Sequence, residues 1–303
     1  MKITAIIIIH NNPPHLRKSL LSIVSHVDEI IVGSVDMTAT LPSVVAAKSK
    51  IVKLDSSIPF ADLVKEDLKK QAQGDFILYL DPDEVISDEL WTLLKKQMNS
   101  SDYFYIPRKN LIFGKWVEHS RWWPDYQLRF FKKDMVIWPK DLHPVPIVKG
   151  KEYRVEPNEK LAIIHYNYEN ISHYLEKAQR YAQFEAKEYI EKRIPFTLQE
   201  TVKKSTSEFI SRYFAEQGYR DGMHGLVLSF LQMFYYFLVY FYYWELKKYD
   251  GGDSKNAVSS IHSFFTNILY ETNHWMIKRN LVNRYTAIKL KITNFFLKNR
   301  QHG

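Results

Sequence analysis

Phe76-Ile77-Leu78-Tyr79-Leu80-Asp81-Pro82-Asp83-Glu84 joins a short apolar run to three acids within four residues. The run reads as a buried strand, and burial does not account for the acids at its end. Carboxylates crowded at a strand end raise one another's pKa unless they share a cation. Oxygen ligands of this kind suit a hard divalent ion such as Mg²⁺ or Mn²⁺. The same letters also suit a plain turn built on Pro82. Asp-x-Asp by itself does not choose between the two.

Upstream of this stretch the pattern alternates. Residues 3–9 are almost wholly apolar and rich in β-branched side chains, as a central parallel strand covered on both faces requires. His10-Asn11-Asn12-Pro13-Pro14 ends it, and Leu16, Leu20, Ile23 and Val24 come next at helical spacing. Residues 29–32 read as a second strand stopping at Gly33-Ser34, 41–47 as a short helix, and 51–54 as a third strand. Residues 61–73 make a polar amphipathic helix with Gly74 as its expected C-cap. Strands and helices alternating at this length predict βαβ units in a doubly wound sheet. Ligands bind such sheets beyond the carboxyl ends of the strands. His10-Asn11, Ser34 and the acids at 81–84 all fall at such ends, so three loops are expected to converge on one crevice.

Downstream the texture changes. Tyr103-Phe104-Tyr105-Ile106-Pro107-Arg108 and Gln127-Leu128-Arg129-Phe130-Phe131 read as strands paired in a second, small sheet. Between them lies Arg121-Trp122-Trp123-Pro124-Asp125-Tyr126, whose paired tryptophans make either a hydrophobic corner or a platform for sugar rings. His143 and His165 are each either satisfied core residues or ligands. From Ile171 the pattern is helical, with Leu175, Ala178, Ala182, Ala186 and Tyr189 as one stripe. Residues 226–244 are apolar except for Ser229 and Gln232, nearly enough to span a bilayer. Five tyrosines among them favour the membrane interface or packing on the rest of the chain over a span. After the linker-like Gly251-Gly252-Asp253-Ser254, the residues Leu281, Tyr285, Ile288, Ile292 and Phe295 form another stripe. Arg284, Lys289, Lys291 and Lys298 flank it, so this helix covers a partner surface or lies on anionic lipid.

Composition narrows the classes. The chain has 303 residues, long enough for one sizeable domain and an appendage. It holds no cysteine, which excludes disulfides, thiolate metal sites and a Cys nucleophile. No signal-peptide pattern precedes the first strand, and the expectation is a cytoplasmic chain, peripheral at the inner face of the cell membrane. The net charge is +8, but residues 272–303 contain seven Lys or Arg and no acid, so the remainder is nearly neutral. This distribution argues for a basic C-terminal arm and against a nucleic-acid binder.

Together these residues resemble family 2 glycosyltransferases of the GT-A fold, and the bacterial lipopolysaccharide core glucosyltransferases among them. Ile8-Ile9-His10-Asn11-Asn12-Pro13 is similar to the family's first strand and turn, and Ser34-Val35-Asp36-Met37-Thr38 to the loop after its second. The stretch from Gly74 to Glu84 resembles the metal-binding segment. Trp123-Pro124-Asp125-Tyr126-Gln127-Leu128-Arg129-Phe130-Phe131 is the most specific match; His165-Tyr166-Asn167-Tyr168 and Gly218-Tyr219-Arg220-Asp221-Gly222 support the same branch. There are departures: Gly33 stands where the family has an Asp for the base edge, Lys65-Glu66 for an Arg-Asn pair, and His143-Pro144 for His-Glu.

The resemblance implies an α/β chain with a Rossmann-like, mostly parallel sheet, a small second sheet and a helical C-terminal region. Residues 1–215 would be the catalytic domain, 216–250 an aromatic apolar helical segment and 251–303 a basic amphipathic arm. It implies inverting transfer of a sugar from a nucleotide-sugar donor, UDP-linked, to a lipid-linked or cell-envelope glycan. Asp125 would be the general base. Asp81 and Asp83, with His143 or His165, would hold Mn²⁺ or Mg²⁺. His10, Asn11, Ser34, Asp36, Lys65 and Arg129 would face the donor, and Trp122, Trp123 and Glu84 the acceptor. The alternative is a catalytically silent nucleotide-binding or scaffold protein on the same fold.

Overall fold

The computed structural model describes residues 1–10, 13–35, 41–55, 61–139, 145–251 and 254–299. Asn11, Asp36 and His143, and the middle of the expected linker at Gly252-Asp253, lie outside these residues. The chain divides into two compact units, Met1–Leu111 with Trp123–Asn167, and Ile112–Trp122 with Tyr168–Gly303.

The first unit opens with β1 (Ile3–Ile9), α1 (Leu16–Leu21), β2 (Glu29–Ser34), α2 (Ser43–Ala46) and β3 (Ser49–Lys53). It continues through α3 (Lys65–Gln71), β4 (Phe76–Tyr79), β5 (Glu84–Val85), α4 (Asp88–Gln97) and β6 (Tyr103–Ile112). After β7 (Lys115–Trp116), which belongs to the second unit, come β8 (Asp125–Lys132), β9 (Val136–Ile137), β10 (Ile147–Val148), β11 (Glu152–Arg154) and β12 (Ile163–Tyr168). The main sheet runs β3-β2-β1-β4-β8-β6-β12-β5. β1 to β4 are parallel, whereas β8 is antiparallel to both β4 and β6. β9 and β10 make a separate two-stranded sheet. This is the layout that the resemblance implies.

The apolar run of β1 is explained by cover on both faces. Ile3, Ala5, Ile7 and Ile9 enter one core with Leu20 of α1 and Trp91 of α4, while Ile6 enters the other with Ile31, Ile77 and Leu68 of α3. The pairing of β6 and β8 departs from expectation. They do not form a sheet of their own; they extend the main one, with Ile77 opposite Phe131 and Leu78 opposite Phe130. The reason is a shared aromatic layer: Phe130 stacks on Phe76 at 4.9 Å and meets Phe104 at 5.2 Å between centroids. A separate sheet would leave these rings exposed.

Gly74 also differs from its expected role. α3 ends in the extended Ala72, and Gly74 instead lies where a Cβ would come 2.6 Å from the Thr4 amide nitrogen. Its own N–H donates to Thr4 Oγ1 at 2.9 Å, which ties the helix exit to β1. Gly33 likewise lies within β2, and a Cβ there would come 2.8 Å from Leu68 Cδ1.

The second unit is helical: α5 (Ile171–Glu191), α6 (Leu198–Ile210), α7 (Met223–Leu246), α8 (Ser254–Lys278) and α9 (Arg284–Asn299). α5 buries Tyr174, Ala178, Ala182 and Ala186, so Tyr174 takes the place expected of the more exposed Leu175. α7 packs on α5 and α6. By length and composition α7 could cross a membrane, and its buried residues are Gly225, Leu228, Ser229 and Val239. Asp221 holds the loop 118–119 through that loop's two backbone N–H groups and His119 Nδ1.

Candidate active site

The parallel register puts three strand ends on one edge of the first unit. Ile9 lies opposite Ser34, and Ile6 opposite Tyr79, so β1, β2 and β4 all exit beside one another. His10 is exposed just past β1, Ser34 is buried at the end of β2, and Asp81 comes just after β4. Such an edge is where α/β sheets take ligands.

Period-2 geometry then lays a polar layer over one sheet face. Asp125, Gln127 and Arg129 alternate along β8, Arg108 and Asn110 along β6, and His165 and Asn167 along β12. Arg108 lies directly opposite Asp125, and His165 directly opposite Glu84 of β5. Arg129, buried, pairs with Asp81 through a short contact and with Glu84 Oε1 at 2.6 Å. Arg108 reaches the same Glu84 oxygen at 3.2 Å and grips Asp125 Oδ2 with Nη2 at 2.6 Å and Nε at 2.9 Å. Asn110 donates to Asp125 Oδ2 at 3.1 Å and Gln127 to Oδ1 at 2.9 Å. The ladder Asp81–Arg129–Glu84–Arg108–Asp125 thus sets three carboxylates against two guanidiniums. Asp83 adds a fourth carboxylate, its Oδ2 lying 3.6 Å from His165 Nε2. His165 is oriented from behind by Asn110 Oδ1 at 2.6 Å from Nδ1.

These neighbours set the charge states. Burial works to raise the Asp81 pKa, but Arg129, then Lys65, Arg108 and His165, outweigh it and hold the carboxyl well below the usual range. Burial likewise opposes ionisation of Asp125, and Arg108, Asn110 and Gln127 together hold its pKa down. Burial would strip the proton from Arg129, but Asp81 and Glu84 keep the guanidinium charged. Its Nε has no hydrogen-bond partner among the described residues.

Asp81, Asp83, Asp125, Arg129 and His165 are thus brought into one connected cluster. Glu84 joins them from beneath: it is fully buried and tied to two arginines and the Asp81 amide, so an acceptor cannot reach it as expected. Lys65 is buried beside Trp138, 4.5 Å from its ring, and Tyr79 donates to the Lys65 carbonyl at 2.5 Å. Trp123 precedes a cis bond to Pro124 in the first unit. Trp122 belongs to the second, where it meets Tyr168 edge-on and lies 5.4 Å under Arg212. Arg108 and Asn110 were missed by sequence reasoning. Their signal was present: polar residues two apart in a strand whose partner begins with Asp125.

A divalent ion can be tested against these donors. Among the described residues no three His, Asp or Glu side chains stand grouped as a ready cage. Mg²⁺ needs no such cage, since it is commonly held by one or two carboxylates and completed by water and substrate phosphates. Asp81 and Asp83, both partly exposed, fit that pattern.

No protein-family model matches this chain. Among solved structures it is similar to S. aureus TarS 1-349, with a TM-score of 0.42 and 12% identity over 100% of this chain and 92% of that one. S. aureus TarS 1-349 in complex with UDP-GlcNAc gives a TM-score of 0.38 and 15% identity, over 80% of this chain and 91% of that one.

Proposed function

We propose that the chain is an inverting glycosyltransferase of the family 2 type. In this reading it moves a sugar from a nucleotide-sugar donor, UDP-linked, to a lipid-linked or cell-envelope glycan. One observation carries the reading: Asp81 and Glu84 after β4 and the acid that opens β8 are joined by a single ladder of ion pairs at the carboxyl edge of the parallel strands.

Each part of the cluster has its own task. The donor lies across the ends of β1 and β2, near His10 and Ser34, with its diphosphate toward Asp81 and Asp83. A divalent ion held by those two carboxylates would neutralise the leaving diphosphate. Arg129 keeps Asp81 ionised. Asp125 takes the acceptor proton on Oδ1, which receives one bond, from Gln127, whereas Oδ2 is held by Arg108 and Asn110. As the acceptor oxygen attacks the anomeric carbon, the bond to the diphosphate breaks, the proton passes to Asp125, and the nucleoside diphosphate leaves. A carboxylate of depressed pKa is a weak base. It accepts the proton only once the attacking oxygen has become positive, which places proton transfer late.

The engagement of Asp125 by three partners is the observation that favours the alternative, a nucleotide-binding protein without turnover. Calorimetry with a panel of nucleotides, with and without Mn²⁺, combined with a donor-hydrolysis assay, tests both readings. Metal-dependent UDP binding with turnover supports the transferase, and binding without turnover the silent protein. The absence of both binding and turnover removes both readings.

A further inference from the structure

α8 and α9 pair with one another, and Asn273 and Asn294 tie them: Asn273 Nδ2 donates to Asn294 Oδ1 and Asn294 Nδ2 to the Tyr270 carbonyl, both at 2.9 Å. Beside this joint opens a groove of about 410 Å³. Lys278, Lys291 and Lys298 stand around it with His274, and Ile277 and Phe295 give it an apolar wall. No acid lies among the residues that line it, and residues 272–303 contain none. Next to the groove, the stripe expected to be the apolar face of an amphipathic helix is open to solvent. Tyr285, Ile288 and Ile292 are exposed, and Phe295 and Phe296 are 64% and 62% exposed.

Three ammonium groups around one groove repel each other unless an anion sits among them. A row of bare aromatic and branched side chains beside them is unfavourable in water. A bilayer surface relieves both at once: the headgroup phosphate neutralises the lysines, and the rings enter the boundary between headgroups and acyl chains. An acidic protein would answer the charge but not the apolar stripe. We propose that the α8–α9 pair docks on a membrane, with this groove seating the phosphate of an anionic phospholipid headgroup. The proposal does not depend on the glycosyl-transfer reading.

The test is co-sedimentation of the full chain with vesicles of neutral phosphatidylcholine, alone and mixed with phosphatidylglycerol. The wild-type chain should bind the mixed vesicles and bind the neutral ones far more weakly. Each Lys near such a surface contributes about a fivefold factor, so Lys278→Gln/Lys291→Gln/Lys298→Gln should bind about 100-fold more weakly. A charge-matched control, Lys53→Gln/Lys95→Gln/Lys96→Gln, should lose less than about tenfold, and circular dichroism should show both variants folded. Two outcomes overturn the proposal: equal binding to both vesicle types, or an equal loss in the control. Self-association that the groove variant abolishes, without lipid binding, would instead make this face an interface between copies, and would also overturn it.

Discussion

Arg129 is buried with a carboxylate on either side, and its removal leaves Asp81 and Glu84 without their principal counter-charge. Breaking a buried ion pair from one side costs about 3–5 kcal/mol. Arg129→Met should therefore lower unfolding stability in urea by about that amount, and adding Glu84→Gln should recover part of it because the two sites are coupled. Additive losses would show that the ladder is not one unit. Asp125→Asn separates chemistry from architecture. An amide oxygen can still accept from Arg108, so the chain should stay folded with a lowered melting midpoint, whereas transfer should fall by about 10²–10⁴-fold with donor affinity retained. Unchanged transfer would remove Asp125 as the base. Asp81, Asp83, Asp125 and Arg129 were all legible as single letters at strand ends or in a strand. That Glu84 lies beneath them, shared by two arginines, was not. It depends on which strand pairs with β5, and the pairing with β12 joins residues far apart in sequence.

At the scale of elements, close backbone approach decides more than helix propensity. In α7, a Cβ on Gly225 would overlap the Gly218 carbonyl, and Ser229 Oγ donates to the Gly225 carbonyl at 2.7 Å. Gly225→Ala pits backbone against backbone, and overpacking of this kind costs about 1–3 kcal/mol or more. The check is a chemical melt followed by tryptophan fluorescence, and an unshifted midpoint would mean that the helix entry slides freely. The Gly218-Tyr219-Arg220-Asp221-Gly222 segment is accounted for in the same way, since Asp221 caps the 118–119 loop and Gly218 admits the helix. α6 begins with a full capping box, Thr197 with Glu200. Thr197→Ala should cost about 1 kcal/mol, read by the same melt. The capping box could be read from four consecutive letters. The assignment of β6 and β8 to one continuous sheet could not, because an antiparallel pair looks alike whether it stands alone or lies against β4.

At the scale of the molecule, the depressed carboxylates act together. Asp81, Asp125, Asp102 and Glu208 all have folded pKa values below their ordinary ones. Groups of this kind add stability that is complete above the unfolded pKa of about 4 and disappears as pH falls through the lower folded values. The thermal midpoint should therefore be nearly flat from about pH 7 to 5 and fall steeply below about 4, as measured by calorimetry. A midpoint that rises on acidification would mean that the carboxylates are not held ionised. The hydrophobic periods in the chain were enough to establish the alternating strands and helices of the first unit, the helical second unit, and the acids at the carboxyl edge of the sheet. Such periods are local and are repeated along each element. Packing alone decided that Gly33 and Gly74 are points of close approach, that Arg108 and Asn110 hold Asp125, and that Glu84 is buried. Each of those facts depends on which distant residue lies opposite, and strand pairing between segments far apart leaves no local trace in the order of the letters.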